Sequence, residues 1–304
     1  MPRSFCQITD FSATEVKEVF DLCAKMKKKE ISPKPLDGKS VACIFMKESL
    51  RTRVSFEVGI SELGGNPVYI TDKEIKLGQR ESIADAAQVL SRYLGMIMIR
   101  TFAHSDVEEL AQNASVPIVN GLTDLVHPCQ ILGDYFTIME HKPNKEKYKI
   151  AYLGDGNNIT NSWLNLASII PIEFRIGTAE DCHPDADIIK KAKSNPDSTI
   201  IISDDPKEAV DGVDVVYTDV WASMGQKTQA DLKAEKLKKF QVNSEIMSYA
   251  DPNAIVLHCL PAERGREITD EVIDSKQSVV FDEAENRLHI QKAIMLFLMQ
   301  QMNK

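Results

Sequence analysis

The sequence predicts an α/β protein of two domains, each a parallel sheet flanked by helices, with a C-terminal helix that packs back on the first domain. Nine strand-like runs alternate with helical patterns along the 304 residues, and such alternation is typical of parallel sheets. This length suits two domains of about 150 residues each. The polar, Pro-containing segment 142–147 separates two groups of four or five strands. We therefore predict a first domain at 1–141, joined by a helix at 283–304, and a second at 148–282.

The elements follow in order from local patterns. Ser12 followed by Glu15 predicts a capped start for the first helix. The predicted strands are VACIF, PVYI, MIMIR, PIVN, KIAYLGD, IEFRIG, TIIIS, VDVVYTD and AIVLHCLP. Helical patterns between them include SIADAAQVLSRYL, DVEELAQNA, CQILGDYFTIMEHK and NSWLNLASII. The last segment, DEAENRLHIQKAIMLFLMQQM, predicts a long helix that is too apolar to remain free of the rest of the protein.

Composition excludes several classes of function. The net charge of −9 argues against a surface for nucleic acid or anionic membranes. No apolar run approaches the ~20 residues of a membrane span. The N-terminal residues resemble neither a signal nor a transit peptide, so we expect a cytoplasmic protein. Six cysteines in such a chain do not suggest a disulfide framework.

The turn after the first predicted strand carries two arginines, Arg51 and Arg53, at the start of a helical pattern. A helix N-terminus presents free N–H groups and the positive end of the helix dipole, so cations there are unfavourable unless an anion binds. The turn therefore predicts a phosphate site built from N–H groups, hydroxyls and guanidinium. A serine N-cap with two solvated arginines is the alternative that these residues alone leave open.

Six strand ends carry polar residues that could hold a small ligand. In open α/β sheets, ligands bind outside the carboxyl ends of the strands. We therefore expect a cleft between the domains, with an anion on the side of the first. The segments are ESLRTR, RTF, NGLTDLVHPCQ, GDGNN, TDVWASMG and HCLPAERG.

The ordered set SLRTR, HPCQ, DVWASMG, HCLP and DEAENR resembles the aspartate/ornithine carbamoyltransferases over nearly the full chain, from Leu36 to Ala293. The last motifs are similar to the ornithine branch, whose members make citrulline and phosphate from carbamoyl phosphate and ornithine. The resemblance implies a cytoplasmic homotrimer of arginine biosynthesis that needs no metal or organic cofactor. It also implies no nucleic-acid or membrane partner.

The resemblance also assigns site residues. Those that match the family's carbamoyl-phosphate site are Ser49, Leu50, Arg51, Thr52, Lys76, Arg100, His127, Gln130, Cys259, Leu260 and Arg287. Those that match the ornithine site are Asn158, Asp219, Ser223 and Met224. Within these sets, catalytic roles fall on Arg100, His127 and Cys259. Donors are needed where charge develops on the carbonyl oxygen, and the resemblance supplies Thr52, Arg100 and His127 there.

Two positions depart from the ornithine branch. Leu50 replaces the usual threonine and resembles the N-acylornithine transcarbamylases, whereas Lys76 stands where glutamine or histidine is usual. A transcarbamylase for N-acylornithine or putrescine therefore remains an alternative, as does a non-catalytic binding protein of the same fold. Lys76 belongs to a loop that in the family reaches a neighbouring subunit.

Two other interpretations of the motifs are weaker. GDGNNI imitates a dinucleotide fingerprint but has Ile159 in place of the third glycine. Zinc binding by His–Cys neighbours such as His258 and Cys259 is disfavoured, because neighbouring side chains on a strand point to opposite faces.

Overall fold

The chain divides into two compact units in the computed structural model, which describes residues 2–221 and 233–302. The first unit comprises Met1–Gly133 and Glu285–Lys304, and the second comprises Asp134–Ala284. Each unit contains one parallel sheet flanked by helices, which confirms the predicted fold class. Within the described ranges, no helix combines the length and apolar character needed to cross a bilayer.

The first unit is built on a four-stranded parallel sheet of order β2-β1-β3-β4. The strands are β1 Ser40–Phe45, β2 Asn66–Thr71, β3 Met96–Arg100 and β4 Ile118–Leu122. The helices are α1 Ala13–Lys27, α2 Leu50–Glu62, α3 Asp72–Ile75, α4 Ile83–Leu90, α5 His104–Asn113 and α6 Pro128–His141, of which α6 continues into the second unit. Chain order reverses between β1 and β3, so the segments after these two strands lie at the point where α/β sheets bind ligands.

The helix starts follow the local sequence. Ser12 accepts a hydrogen bond from the N–H of Glu15, whose carboxylate accepts from the N–H of Ser12 at 2.8 Å, as predicted. Ser49 caps α2, and Leu50 begins the helix. The buried face of α2 includes Phe56 and Ile60. The remaining apolar side chains form an exposed stripe, with Leu50 76%, Val54 48% and Val58 39% exposed.

The C-terminal helix, α13 Val280–Met302, packs on the first unit, as the sequence predicts. Phe297 meets the Phe11 ring edge-on with centroids 4.9 Å apart. Lys292 pairs with Glu62 at 2.6 Å. The close approach of α13 to α2 depends on Gly59, where a Cβ would lie 3.2 Å from Cγ of Lys292.

The second unit is built on a five-stranded parallel sheet of order β7-β6-β5-β8-β9. Its strands are β5 Tyr148–Leu153, β6 Ile172–Gly177, β7 Thr199–Ser203, β8 Val215–Thr218 and β9 Ile255–His258. Its described helices are α7 Asn158–Ala167, α8 Ala186–Lys193, α9 Pro206–Val210, α10 over 233–237, α11 Ser244–Met247 and α12 Asp270–Ile273. Val216, Val256 and Phe240 are fully buried in its core. Chain order reverses between β5 and β8, so the residues that follow them lie at this sheet's ligand-binding point.

Candidate functional site

Two arginines converge on one buried hydroxyl in the first unit. Arg100, at the end of β3, donates from Nη1 to Thr52 Oγ1 at 3.1 Å, and Arg287 of α13 donates from Nη2 to the same oxygen at 2.8 Å. Ser49 Oγ lies 3.0 Å from this oxygen and also accepts from the N–H of Thr52. The resemblance groups these four residues, and the structure brings them together.

This arrangement favours an anion. Two guanidinium groups that donate to the same oxygen repel each other, so a bound anion stabilises the arrangement. The first-turn N–H groups of α2 have no intrahelical partner and add positive potential. The alternative of a serine N-cap with two solvated arginines holds in part: Ser49 caps α2, and Arg53, whose side chain is 44% exposed, stacks over the Tyr69 ring at 3.7 Å and pairs with Glu57.

His127 is buried beside the arginines, directly before the first residue of α6. Burial and then the positive charges of Arg287 and Arg100 hold the pKa of its imidazole well below the usual value. The ring is therefore neutral at physiological pH and offers one N–H donor rather than a cation. Gln130 is also buried, and its N–H donates to the backbone oxygen of His127 at 3.2 Å.

The remaining first-unit candidates occupy two positions. Leu50 and Arg51 belong to the first turn of α2, so their backbone N–H groups have the orientation expected of a phosphate turn. Lys76 ends α3 in the left-handed conformation, with φ of 43°, and its side chain is exposed. Within residues 2–221 and 233–302, it makes no side-chain hydrogen bond to the group around Thr52.

In the second unit, the side chains of Asp219 and Cys259 meet. Asp219 follows β8, Cys259 follows β9, and the thiol donates to Asp219 Oδ1 at 2.9 Å. The same oxygen accepts from the N–H of Val220 at 2.8 Å, and Oδ2 accepts from Asn157 Nδ2 at 3.1 Å. The sheet register, which pairs Leu153 with Thr218, places the segments after β5 and β8 side by side.

The protonation state of Cys259 follows from this environment. Burial, followed by the charge of Asp219 and the hydrogen bond to it, raises the pKa of the thiol well above its usual value. A thiolate is the nucleophilic form of cysteine, so this residue is not poised as a nucleophile. It acts as a donor that orients the carboxylate of Asp219.

The turn after β9 is held by a buried histidine that the sequence-based site assignment missed. His258 Nδ1 accepts from the N–H of Leu260 at 2.9 Å, so its proton is on Nε2, which donates to Glu267 Oε1 at 3.0 Å. Both side chains are fully buried. Leu260 adopts φ of 53°, an uncommon conformation for a non-glycine residue, and this pair helps to hold it.

The expectation that His258 and Cys259 point apart is wrong. Their ligand-type atoms and that of Asp219 all lie within 4.8 Å of one another. Strand alternation applies only within a strand, and β9 ends at His258. Both ring nitrogens of His258 already have protein partners.

The segment after β5 supplies Asn157 and Asn158. Asn157 caps α7 through Oδ1 and orients Asp219 through Nδ2, which the sequence reasoning missed, although asparagine directly before a helix is a known capping signal. Asn158 is the first residue of α7. The predicted ornithine-site residues Ser223 and Met224 lie outside the described residues. Gly156 has no room for a side chain, because a Cβ would lie 2.3 Å from the backbone nitrogen of Pro184.

Both units match one protein family. Residues 3–140 match its carbamoyl-P binding domain, and residues 146–298 match its Asp/Orn binding domain. The chain belongs to the aspartate/ornithine carbamoyltransferase family. This finding agrees with the separation of the two groups of side chains, with arginines in the first unit and a carboxylate in the second.

Individual carbamoyltransferases resemble the chain over its length. An ornithine carbamoyltransferase of Syntrophus aciditrophicus is 46% identical, and the match covers 98% of this chain and 100% of the relative. One of Carboxydothermus hydrogenoformans is 49% identical, and the match covers 98% of this chain and 97% of the relative. The structure of the ornithine carbamoyltransferase from Pyrococcus furiosus is 43% identical, with a TM-score of 0.94 over 98% of this chain and 97% of that one. The structure of an anabolic ornithine carbamoyltransferase from Campylobacter jejuni is 36% identical and also has a TM-score of 0.94, over 98% of this chain and 99% of that one.

Proposed function

We propose that the protein transfers the carbamoyl group of carbamoyl phosphate to the δ-amine of L-ornithine, giving L-citrulline and phosphate. The observation that carries this proposal is the convergence of Arg100 and Arg287 on the hydroxyl of Thr52. It offers the charge and the donors that a phosphate leaving group requires. The family membership and the ornithine carbamoyltransferases at 46–49% identity support the choice of substrates.

The phosphate-binding role belongs to the turn at the start of α2. Ser49, Leu50, Arg51 and Thr52 supply hydroxyls, N–H groups and a guanidinium to the phosphate, and Arg287 completes the site. Lys76 adds a further cation from its loop. Since phosphate leaves as an anion, these groups stabilise the transition state together with the leaving group.

Thr52, Arg100 and His127 donate to the carbonyl oxygen of the carbamoyl group, and Gln130 together with His127 holds that group. Because His127 is neutral, it donates an N–H without adding a third positive charge beside the arginines. Negative charge develops on this oxygen as the amine attacks, so fixed donors lower the barrier. Positioning of the two substrates supplies much of the remaining rate.

The acceptor role belongs to Asn158 and Asp219, with Ser223 and Met224 completing the set. The Asp219 carboxylate has about four acceptor sites, and Val220, Cys259 and Asn157 use three of them. The remaining site, on Oδ2, accepts from the α-ammonium group of ornithine. We assign Cys259 and Leu260 to the contact with the side chain of ornithine. An N-acylated acceptor has no α-ammonium, which favours free ornithine.

A colorimetric ureido-group assay with carbamoyl phosphate tests this assignment. Ornithine, putrescine and N-acetylornithine are compared side by side, and we expect the highest kcat/KM for ornithine. A higher value for putrescine or N-acetylornithine would assign the enzyme to the corresponding branch. No ureido product with any of the three would support a non-catalytic binding protein.

We further propose that the protein is a cytoplasmic homotrimer that acts in arginine biosynthesis. The exposed apolar stripe of Leu50, Val54 and Val58 on α2 supports self-association, because burial of such side chains is favourable. The exposed Lys76 suits a role in a neighbouring subunit's site. Sedimentation equilibrium tests the trimer, and a monomer at micromolar concentration would contradict it.

A further inference from the structure

A second carboxylate lies beside Asp219 in the second unit. Asp155 follows β5 by two residues and Asp219 follows β8 by one, and these strands are paired in register. The N–H of Asn157 donates to the backbone oxygen of Asp155 at 2.8 Å, while its side chain donates to Asp219. One short turn therefore carries Asp155 and the group that orients Asp219.

Asp155 is neutralised by a lysine from α10. Lys233 Nζ forms an ion pair with Asp155 Oδ2, and the side chains are 37% and 13% exposed respectively. Burial raises the pKa of Asp155 and the charge of Asp219 raises it further, whereas the hydrogen bond from Lys233 lowers it. Among the residues that the structure describes, one ion-paired cation, Lys233, thus balances these two carboxylates, which leaves a net charge of about −1 on the three side chains.

Building on the proposed function, we propose that Lys233 sets the acceptor specificity of the enzyme by cancelling the charge of Asp155. With its δ-amine neutral, ornithine has one α-ammonium and one α-carboxylate and so no net charge. Putrescine with one neutral amine has a net charge of +1. A pocket with two uncompensated carboxylates attracts the positively charged diamine more strongly than a pocket with one. Removal of Lys233 therefore strengthens putrescine binding relative to ornithine binding.

The test compares Lys233→Met with the wild type. The measured quantity is the inhibition constant of putrescine divided by the KM of ornithine. One added uncompensated charge a few ångströms from the ligand should lower this ratio about tenfold, which equals ~1.4 kcal/mol. Lys233→Arg preserves the cation and should keep the wild-type ratio.

Two further variants separate charge from structural damage. In Asp155→Asn/Lys233→Met the extra carboxylate is gone as well, so the ratio should return toward the wild-type value although the ion pair is absent. Lys236→Met is the matched control: Lys236 is one turn further along the same helix and pairs with Asp181, where both side chains are more than half exposed. This control should leave the ratio unchanged.

The outcomes are distinct. If the wild type makes no citrulline, the proposed function is wrong and this inference is overturned with it. If the wild type is active and Lys233→Met keeps the wild-type ratio, only the role of Lys233 is overturned. A ratio that falls in Lys233→Met and stays low in the double variant would indicate direct contact with the acceptor carboxylate or a structural effect, and would also overturn the charge-cancelling role.

Discussion

The side chains around Thr52 in the first unit and those around Asp219 in the second differ in how their charges are satisfied. Arg100 and Arg287 both donate to the neutral hydroxyl of Thr52, an arrangement that an anion stabilises. Asp219 already accepts from an amide, a thiol and a backbone N–H. The first group concentrates positive charge around one oxygen, whereas three donors among the described residues already orient the carboxylate of the second. Removal of charge should therefore affect the two units differently.

The largest expected effect is complete loss of activity. It tests whether residues of one chain alone make up the proposed carbamoyl-phosphate site. Arg51→Ala should inactivate its own site, and Lys76→Ala should inactivate that of a neighbouring subunit. A working site in a random 1:1 mixed trimer needs Arg51 from its own chain and Lys76 from its neighbour. Roughly a quarter of the sites should then recover, as measured by citrulline formation.

Controls for the mixed trimers are the two parent variants refolded alone. No recovery above these parents, with mixed trimers confirmed by native mass spectrometry, would mean that Lys76 serves its own subunit. An active Lys76→Ala parent would instead show that the arginines suffice without this loop.

The next effect concerns the second unit. Asp219→Asn removes the partner of the α-ammonium, and loss of one member of a charge-assisted pair costs roughly 2–5 kcal/mol. The KM for ornithine should rise steeply while the dissociation constant of carbamoyl phosphate stays nearly constant. Steady-state kinetics and isothermal titration measure the two quantities. Unchanged ornithine kinetics would remove Asp219 from the acceptor site.

A third prediction uses the pKa of His127, which is lowered in the folded protein. Above the unfolded value of about 6.5 the ring is neutral in both states, so it adds no pH dependence. Below that value the unfolded chain binds a proton that the folded protein does not, and stability falls. At pH 5 the loss reaches up to about 2 kcal/mol.

Urea denaturation of wild type and His127→Asn at pH 7.5 and pH 5 measures this effect. The variant should lose less stability between the two pH values than the wild type. Burial also lowers the pKa of His104, so His104→Asn provides a comparison outside the site. An equal pH dependence in wild type and His127→Asn would contradict a neutral His127.

The smallest effect is expected at Leu50. If its backbone N–H supplies the phosphate contact, Leu50→Thr adds at most one neutral hydrogen bond, worth under about 1.5 kcal/mol. The ratio of kcat/KM for ornithine to that for N-acetylornithine should change little. A large change in this ratio would show that the side chain at position 50 sets acceptor choice, and would move that role to the first unit.

The strand pattern predicted much of the architecture because hydrophobic periodicity is local. Each of the nine predicted strand segments overlaps a strand of the structure, and the C-terminal helix packs on the first unit. The start of α2 was placed only approximately, since Leu50 can follow Ser49 either in a turn or in a helix. The exposed Val54 and Val58 show that helical spacing does not reveal which face the core covers.

The sequence by itself determined the two sheets, the family resemblance and the identity of most candidate residues, because strands, helix caps and motifs each depend on residues that are close together in the chain. Only the tertiary structure decided which side chains, distant in sequence, form hydrogen bonds to the same oxygen atom. Thr52 and Arg287 are 235 positions apart, and no local pattern shows that they meet. The His258–Glu267 pair, the capping Asn157 that also orients Asp219, and the Lys233–Asp155 ion pair likewise arise from the approach of separate segments. Burial and electrostatic coupling, which set the charge states of His127 and Cys259, exist only after those segments have packed together.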